Sequence, residues 1–305
     1  MRSDARSHEL FSRHPDEALT WPSGKQFPIP YHCYDADAFV LHGTVELPGV
    51  EALLQGENCH PVILRRPGRP DRGVAQIWLN LYRDTNFGPY REVVISFAAS
   101  KEKETAVFPY KNVASLLLPG LDPRCVIFTR WLYLDSQPAI DVGREVFGFP
   151  KYRAELSFER AQSEERNPSE PITLMHRTLT SDGKEVLRVH LDLERSAWKR
   201  IETTWQLLRA IGLRGISRVG RAREAASTLL TPVLLKQVVT PVRAVGRPSL
   251  YPWSSECELS FGPETAGGRT LAELRFDPVL VQITMGLKFV MLADDPRAMD
   301  PIATP

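Results

Sequence analysis

Runs rich in β-branched and aromatic residues follow one another along this 305-residue chain with few helical segments between them. They occupy residues 38–47, 61–65, 74–82, 90–98, 125–134, 172–179, 185–193, 256–261, 270–276 and 279–292. A parallel sheet needs a long crossover, usually a helix, between strands. Strand after strand without that spacing predicts an α+β chain, mostly antiparallel β, with a few appended helices. Ser181-Asp182-Gly183 separates two of the runs and is a hairpin signal. Proline outnumbers glycine, 25 to 19, which favours strands and turns over long helices.

Apolar content of 43% and charged content of 25% place the chain among globular proteins rather than disordered ones. Residues 1–27 are expected to form a mobile N-terminal arm. Phe27-Pro28-Ile29-Pro30-Tyr31 is then an extended entry to a single domain over 28–305. Residues 195–230 differ from the rest. Trp198, Ile201, Trp205 and Leu208 recur at helical spacing, and Arg200, Arg209, Arg214, Arg218, Arg221 and Arg223 make the segment basic. A helix packed on the sheet with a solvated arginine face is the expectation. A lid over a pocket or a helix on a membrane surface is the alternative.

Several functions lack their signatures. The net charge of +1 supplies no field for nucleic acid. Cys33, Cys59, Cys125 and Cys257 form no Cys-x-x-Cys pair, and none of the seven histidines has metal-ligand spacing, so no metal is expected. Gly212, Gly215 and Gly220 do not make a dinucleotide loop. Residues 1–13 lack the apolar core of a secretory signal and no run is long enough to span a membrane, which predicts a cytoplasmic protein.

The informative stretch is Gly143-Arg144-Glu145-Val146-Phe147-Gly148-Phe149-Pro150-Lys151-Tyr152. Ser136 can cap a short helix with Pro138 in its first turn, Gly148 suits the left-handed position past its end, and Pro150 stops it resuming. The chain then hands Lys151 to a strand. Along that strand Tyr152, Ala154, Leu156 and Phe158 share one parity, and Lys151 shares the other with Arg153, Glu155 and Ser157. In an open sheet that second face meets water; in a barrel it can line a polar cavity. On the 90–98 run, Tyr90 and Glu92 share a face and Arg91 takes the other.

The run from Gly143 to Lys151 resembles the active-site segment of the acetoacetate decarboxylase family, and Phe87-Gly88-Pro89-Tyr90-Arg91-Glu92-Val93 is similar to that family's preceding signature. Order and separation also fit. The resemblance implies a β-barrel or cone enclosing a pocket, with Lys151 as the Schiff-base lysine and Glu92 as a carboxylate in the same pocket. Tyr90, Phe149, Tyr152 and Arg144 are the candidate substrate-binding residues. That family is itself a standard example of a lysine activated by desolvation or a neighbouring cation. The implied partner is a small keto acid, with neither metal nor organic cofactor, and a homo-oligomer is a family expectation.

Two departures shape the functional expectation. The family's decarboxylases follow the reactive lysine with a second lysine, where this chain has Tyr152. The family also carries a second carboxylate on the strand before Gly88, and residues 74–82 hold no Asp or Glu. The first expectation is Schiff-base decarboxylation of a β-keto acid. The alternatives are aldol or dehydration chemistry on a pyruvate-like keto acid, and non-catalytic ligand binding on the same scaffold.

Overall fold

The computed structural model describes residues 5–101, 106–160, 173–193, 224–232, 239–246 and 248–293. Seven strands close a barrel in chain order: Tyr31–Glu46, Arg72–Thr85, Tyr90–Ser100, Cys125–Leu134, Glu224–Leu230, Val239–Val245 and Asp277–Met291. The last pairs back onto the first. Every junction is antiparallel except 125–134 with 224–230, which is parallel. No tight turn is required there, because the chain leaves the barrel between those strands. In that interval it builds a second antiparallel sheet from Lys151–Arg160, Thr173–Thr180 and Glu185–Asp192, and Glu258–Phe261 later adds an edge. The expected class, mostly antiparallel β with few helices, is the class observed.

Alternation sorts the barrel's two faces. Ala75, Ile77 and Leu79 of one strand and Val93, Ile95, Phe97 and Ala99 of the next lie in the main core with Leu156, Leu174, Val186 and Val189 of the second sheet. Burial of apolar surface, at roughly 25 cal/mol per Å², fastens that sheet to the barrel wall. Tyr82, Tyr90 and Glu92 have the opposite parity. Tyr31 meets Tyr90 across the intervening 72–85 strand, and the Tyr82 ring meets Phe289 across the 31–46 strand. Side chains two strands apart converge only on the side toward which a sheet curls, so this is the barrel interior.

Two expectations give way, and part of a third. Residues 5–27 are a packed segment rather than a mobile arm: Glu17–Thr20 and Gln26–Ile29 pair as a hairpin, and Leu10, Phe11 and Trp21 are buried. A few scattered apolar anchors suffice there, because the surface they cover is built by distant parts of the chain. Residues 270–276 are not a strand. Helix Ala266–Glu273 occupies that stretch, with Thr265 Oγ1 accepting from the Gly268 amide at 3.2 Å and Leu271 buried. Of the segment 195–230, residues 224–230 form a barrel strand, and the helix expected over 198–208 lies outside the described residues.

Candidate active site

The helix before Lys151 forms as its sequence dictates. It runs Gln137–Glu145, capped by Ser136, whose hydroxyl accepts from the Ala139 amide at 3.5 Å. Ala139, Ile140 and Val142 are buried against the barrel end. Gly148 takes a φ of +63°, which is strained for any side chain but glycine's hydrogen. The chain then folds back tightly, with the Phe149 amide donating to the Gly143 carbonyl at 2.8 Å. Arg144 clamps the return: its Nε and one terminal nitrogen donate to the Lys151 carbonyl at 2.9 and 2.5 Å.

Lys151 enters the ladder opposite Leu132, in parallel pairing with the 125–134 strand. Three residues later the strand is paired with 173–180 instead, as part of the second sheet. Between the two ladders the alternation slips. Lys151 is buried, Tyr152 and Arg153 are both exposed, and Ala154 and Leu156 are buried in the main core. The sequence parity is therefore right from Ala154 onward, and Tyr152 is the exception.

The ammonium nitrogen of Lys151 lies 3.1 Å from Glu92 Oε2, and both side chains are more than nine-tenths buried. Glu92 Oε2 has no well-aligned hydrogen bond, so the contact is a close charge pair rather than a directed bond. The other carboxylate oxygen, Oε1, accepts from the Tyr82 hydroxyl at 3.1 Å. Tyr31 and Tyr90 share a hydrogen bond of 2.8 Å between their hydroxyls. The Lys151 nitrogen stands 6.0 Å from the Tyr90 ring and 5.9 Å from the Phe149 ring. Phe87 stacks on Tyr31 and Phe289 completes the aromatic wall. Burial, the largest cause in each case, holds the Tyr31, Tyr82 and Tyr90 phenols well above their ordinary range, so all three are neutral at any physiological pH.

Of the residues singled out in the sequence, Lys151, Glu92, Tyr90 and Phe149 come together. Tyr152 does not join them. Its side chain is 44% exposed and its ring packs on Tyr133 at 5.6 Å. Arg144 is exposed and acts on the backbone of Lys151 rather than beside its nitrogen. Sequence reasoning missed Tyr31, Tyr82 and Gly143. A methyl group at 143 would collide with Cδ and Cε of Lys151, so glycine there makes room for the lysine stem. Tyr82 carried a signal: it faces Tyr90 across the hairpin that turns at Gly88. The described strand also holds an acid beyond residue 82, Asp84, but its carboxylate pairs with Arg6 at 2.7 Å.

The end of the barrel at Lys151 is covered. Trp21, Phe27 and Ile29 of the N-terminal hairpin belong to the same cluster as Tyr82, Tyr90 and Phe149. Trp21 Nε1 donates to the Glu145 carbonyl at 2.9 Å, and Lys25 contacts Glu145 and Asp141 at 2.7 and 3.1 Å. A cavity of about 350 Å³ touches the barrel lower down, at Gln76, Ala98 and Ile127, and is not lined by Lys151. Among the described residues no cluster of three or more His, Cys, Asp or Glu could hold a metal ion, and no helix is long and apolar enough to cross a membrane.

An acetoacetate decarboxylase from Legionella pneumophila is similar in structure at 14% identity, covering 96% of this chain and 98% of that one, with a TM-score of 0.49. The enduracididine biosynthesis enzyme MppR, in complex with the condensation product of pyruvate and imidazole 4-carboxaldehyde, is 11% identical, with 92% and 98% covered and a TM-score of 0.50. MppR with bound HEPES buffer is 12% identical, with 91% and 93% covered and the same TM-score of 0.50. Among curated proteins none matches the chain. The family model described as acetoacetate decarboxylase matches residues 64–263. That span, well over half of the chain, holds both Glu92 and Lys151: this protein belongs to the acetoacetate decarboxylase family.

Proposed function

We propose that the protein forms an imine between Lys151 and a small keto acid and uses that imine as an electron sink. The observation that carries this reading is the lysine nitrogen, buried in an aromatic wall 3.1 Å from Glu92. An amine in its free form attacks the ketone carbon, and water leaves as the imine forms. The protonated imine then accepts the electron pair of the bond to the departing carboxylate of a β-keto acid. Carbon dioxide leaves, an enamine remains, a proton adds to its carbon, and water releases the ketone from the lysine. Glu92, 3.1 Å from that nitrogen, takes its proton on attack and returns it during hydrolysis.

A second reading has its own support. With an uncharged residue at 152, and that one turned outward, no cation adjoins Lys151 from the next position in sequence. The MppR structure at a TM-score of 0.50 holds a pyruvate condensation product. Both facts suit a pyruvate-like substrate whose enamine attacks an aldehyde rather than one that loses carbon dioxide.

Borohydride reduction in the presence of keto acids separates the readings. Acetoacetate trapped on Lys151 with release of carbon dioxide supports the first. Pyruvate trapped without gas supports the second. No adduct at Lys151 with either acid sinks both and leaves a ligand-binding barrel.

A further inference from the structure

We propose that Tyr82 is the positioning residue of this site, the group that holds Glu92 in the one orientation useful to Lys151. The inference rests on the reading of Lys151 as the reactive amine. A glutamate side chain has three rotatable bonds, and a hydrogen bond to one oxygen fixes which way the other faces. Here Oε1 takes the Tyr82 hydroxyl at 3.1 Å and Oε2 faces the Lys151 nitrogen at 3.1 Å. Tyr82 is itself held, its ring 4.4 Å from the Tyr90 ring and 6.0 Å from that of Phe289. It is 6% exposed, so water does not compete for the carboxylate.

The chemistry of the donor matters as much as its place. Burial, followed by the nearby Glu92 charge, keeps the phenol protonated, so it donates and never takes the proton that Glu92 handles. A carboxylic acid at this position would compete for that proton.

A double-mutant cycle tests this on two scales. Borohydride trapping with acetoacetate and with pyruvate reads imine formation. Carbamoylation of Lys151 by cyanate, followed by peptide mass spectrometry, reads the amine without any keto acid. Tyr82→Phe should slow trapping at saturating keto acid by about ten-fold, the size expected for one hydrogen bond to a charged group, while the half-saturating concentration stays within about two-fold. Glu92→Gln should slow it at least as much, and the double variant should be no slower than Glu92→Gln alone. Additive losses, or a Tyr82→Phe protein that reacts like the parent, overturn the inference. If the parent traps no keto acid, the functional reading fails by itself, and the same non-additivity must then hold in the carbamoylation rates. Should Tyr82→Phe fail to fold, 4-aminophenylalanine introduced at position 82 keeps the ring and a donor at that place and must retain most of the rate; a folded but slow protein of that kind refutes the assignment.

Discussion

Gly143 lies against the stem of Lys151, so close that a Cβ at 143 would overlap Cδ and Cε and stand 2.9 Å from the nitrogen. The helix that precedes the lysine thus sets its direction. Only a residue without a side chain lets the stem run past the helix backbone and deliver the nitrogen to Glu92.

Gly143→Ala should therefore push the lysine off the carboxylate. Overpacking of this kind costs about 1–3 kcal/mol. The expected outcome is a lower melting temperature together with at least about a ten-fold loss in borohydride trapping, the rate factor of about 1.4 kcal/mol. Unchanged trapping would show that the lysine reaches its partner by another path.

Removing one member of the buried pair should cost more than removing both. Lys151→Ala leaves the Glu92 carboxylate buried opposite no cation, a loss of about 3–5 kcal/mol. Lys151→Ala with Glu92→Gln relieves that charge and should regain stability in urea unfolding. A double variant less stable than Lys151→Ala would show that Glu92 is satisfied by Tyr82 alone. Lys151→Arg keeps a cation at the site and should abolish trapping while leaving the fold intact.

Two buried histidines predict the response to acid. Burial lowers His42 to about 4 and His176 to about 3, from an ordinary 6.5. Each is neutral in the folded protein where its unfolded form binds a proton. Between 6.5 and the folded value the unfolded chain holds more protons, so stability rises with pH. It is complete above about 6.5 and falls steadily as pH drops toward 4 and 3, by about 3 kcal/mol for His42 and about 5 kcal/mol for His176. Urea midpoints taken from pH 7 to pH 4 should decline, and His176→Gln should flatten the curve. A midpoint independent of pH over that range would contradict the burial of both rings.

Trp21 ties the N-terminal hairpin to the end of the helix before Lys151. Trp21→Ala removes a buried ring and the hydrogen bond to the Glu145 carbonyl, a change of about 3–5 kcal/mol where the site cannot collapse. Amide exchange should then speed up in residues 17–29 and at the barrel end, and cyanate should reach Lys151 faster. The exposed Lys25 contacts add little against solvent, so Lys25→Ala should change neither rate by much. Equal effects of the two substitutions would place the anchor in the charges instead.

Local chemistry was legible in the sequence. The cap at Ser136, the stop at Gly148, the strand boundaries 125–134 and the hairpin turn at Asp182-Gly183 are set by neighbours within a few residues. The shared face of Tyr90 and Glu92 followed from the period of a strand, and both are buried on one side of it. The helix 266–273 was hidden because its paired glycines read as a loop and Leu271, Leu274 and Phe276 suited a strand.

What the tertiary structure decided lies in the closure of the ring. Strands remote in sequence had to meet before Tyr31 could reach Tyr90, or Tyr82 could reach Glu92 beside Lys151. The inward turn of Lys151 and the outward turn of Tyr152 arise where one strand passes from the barrel ladder to the second sheet. Alternation along a strand is a property of its own backbone. Which side of that alternation is the inside depends on how distant strands curl together, and the chain's local pattern does not contain that information.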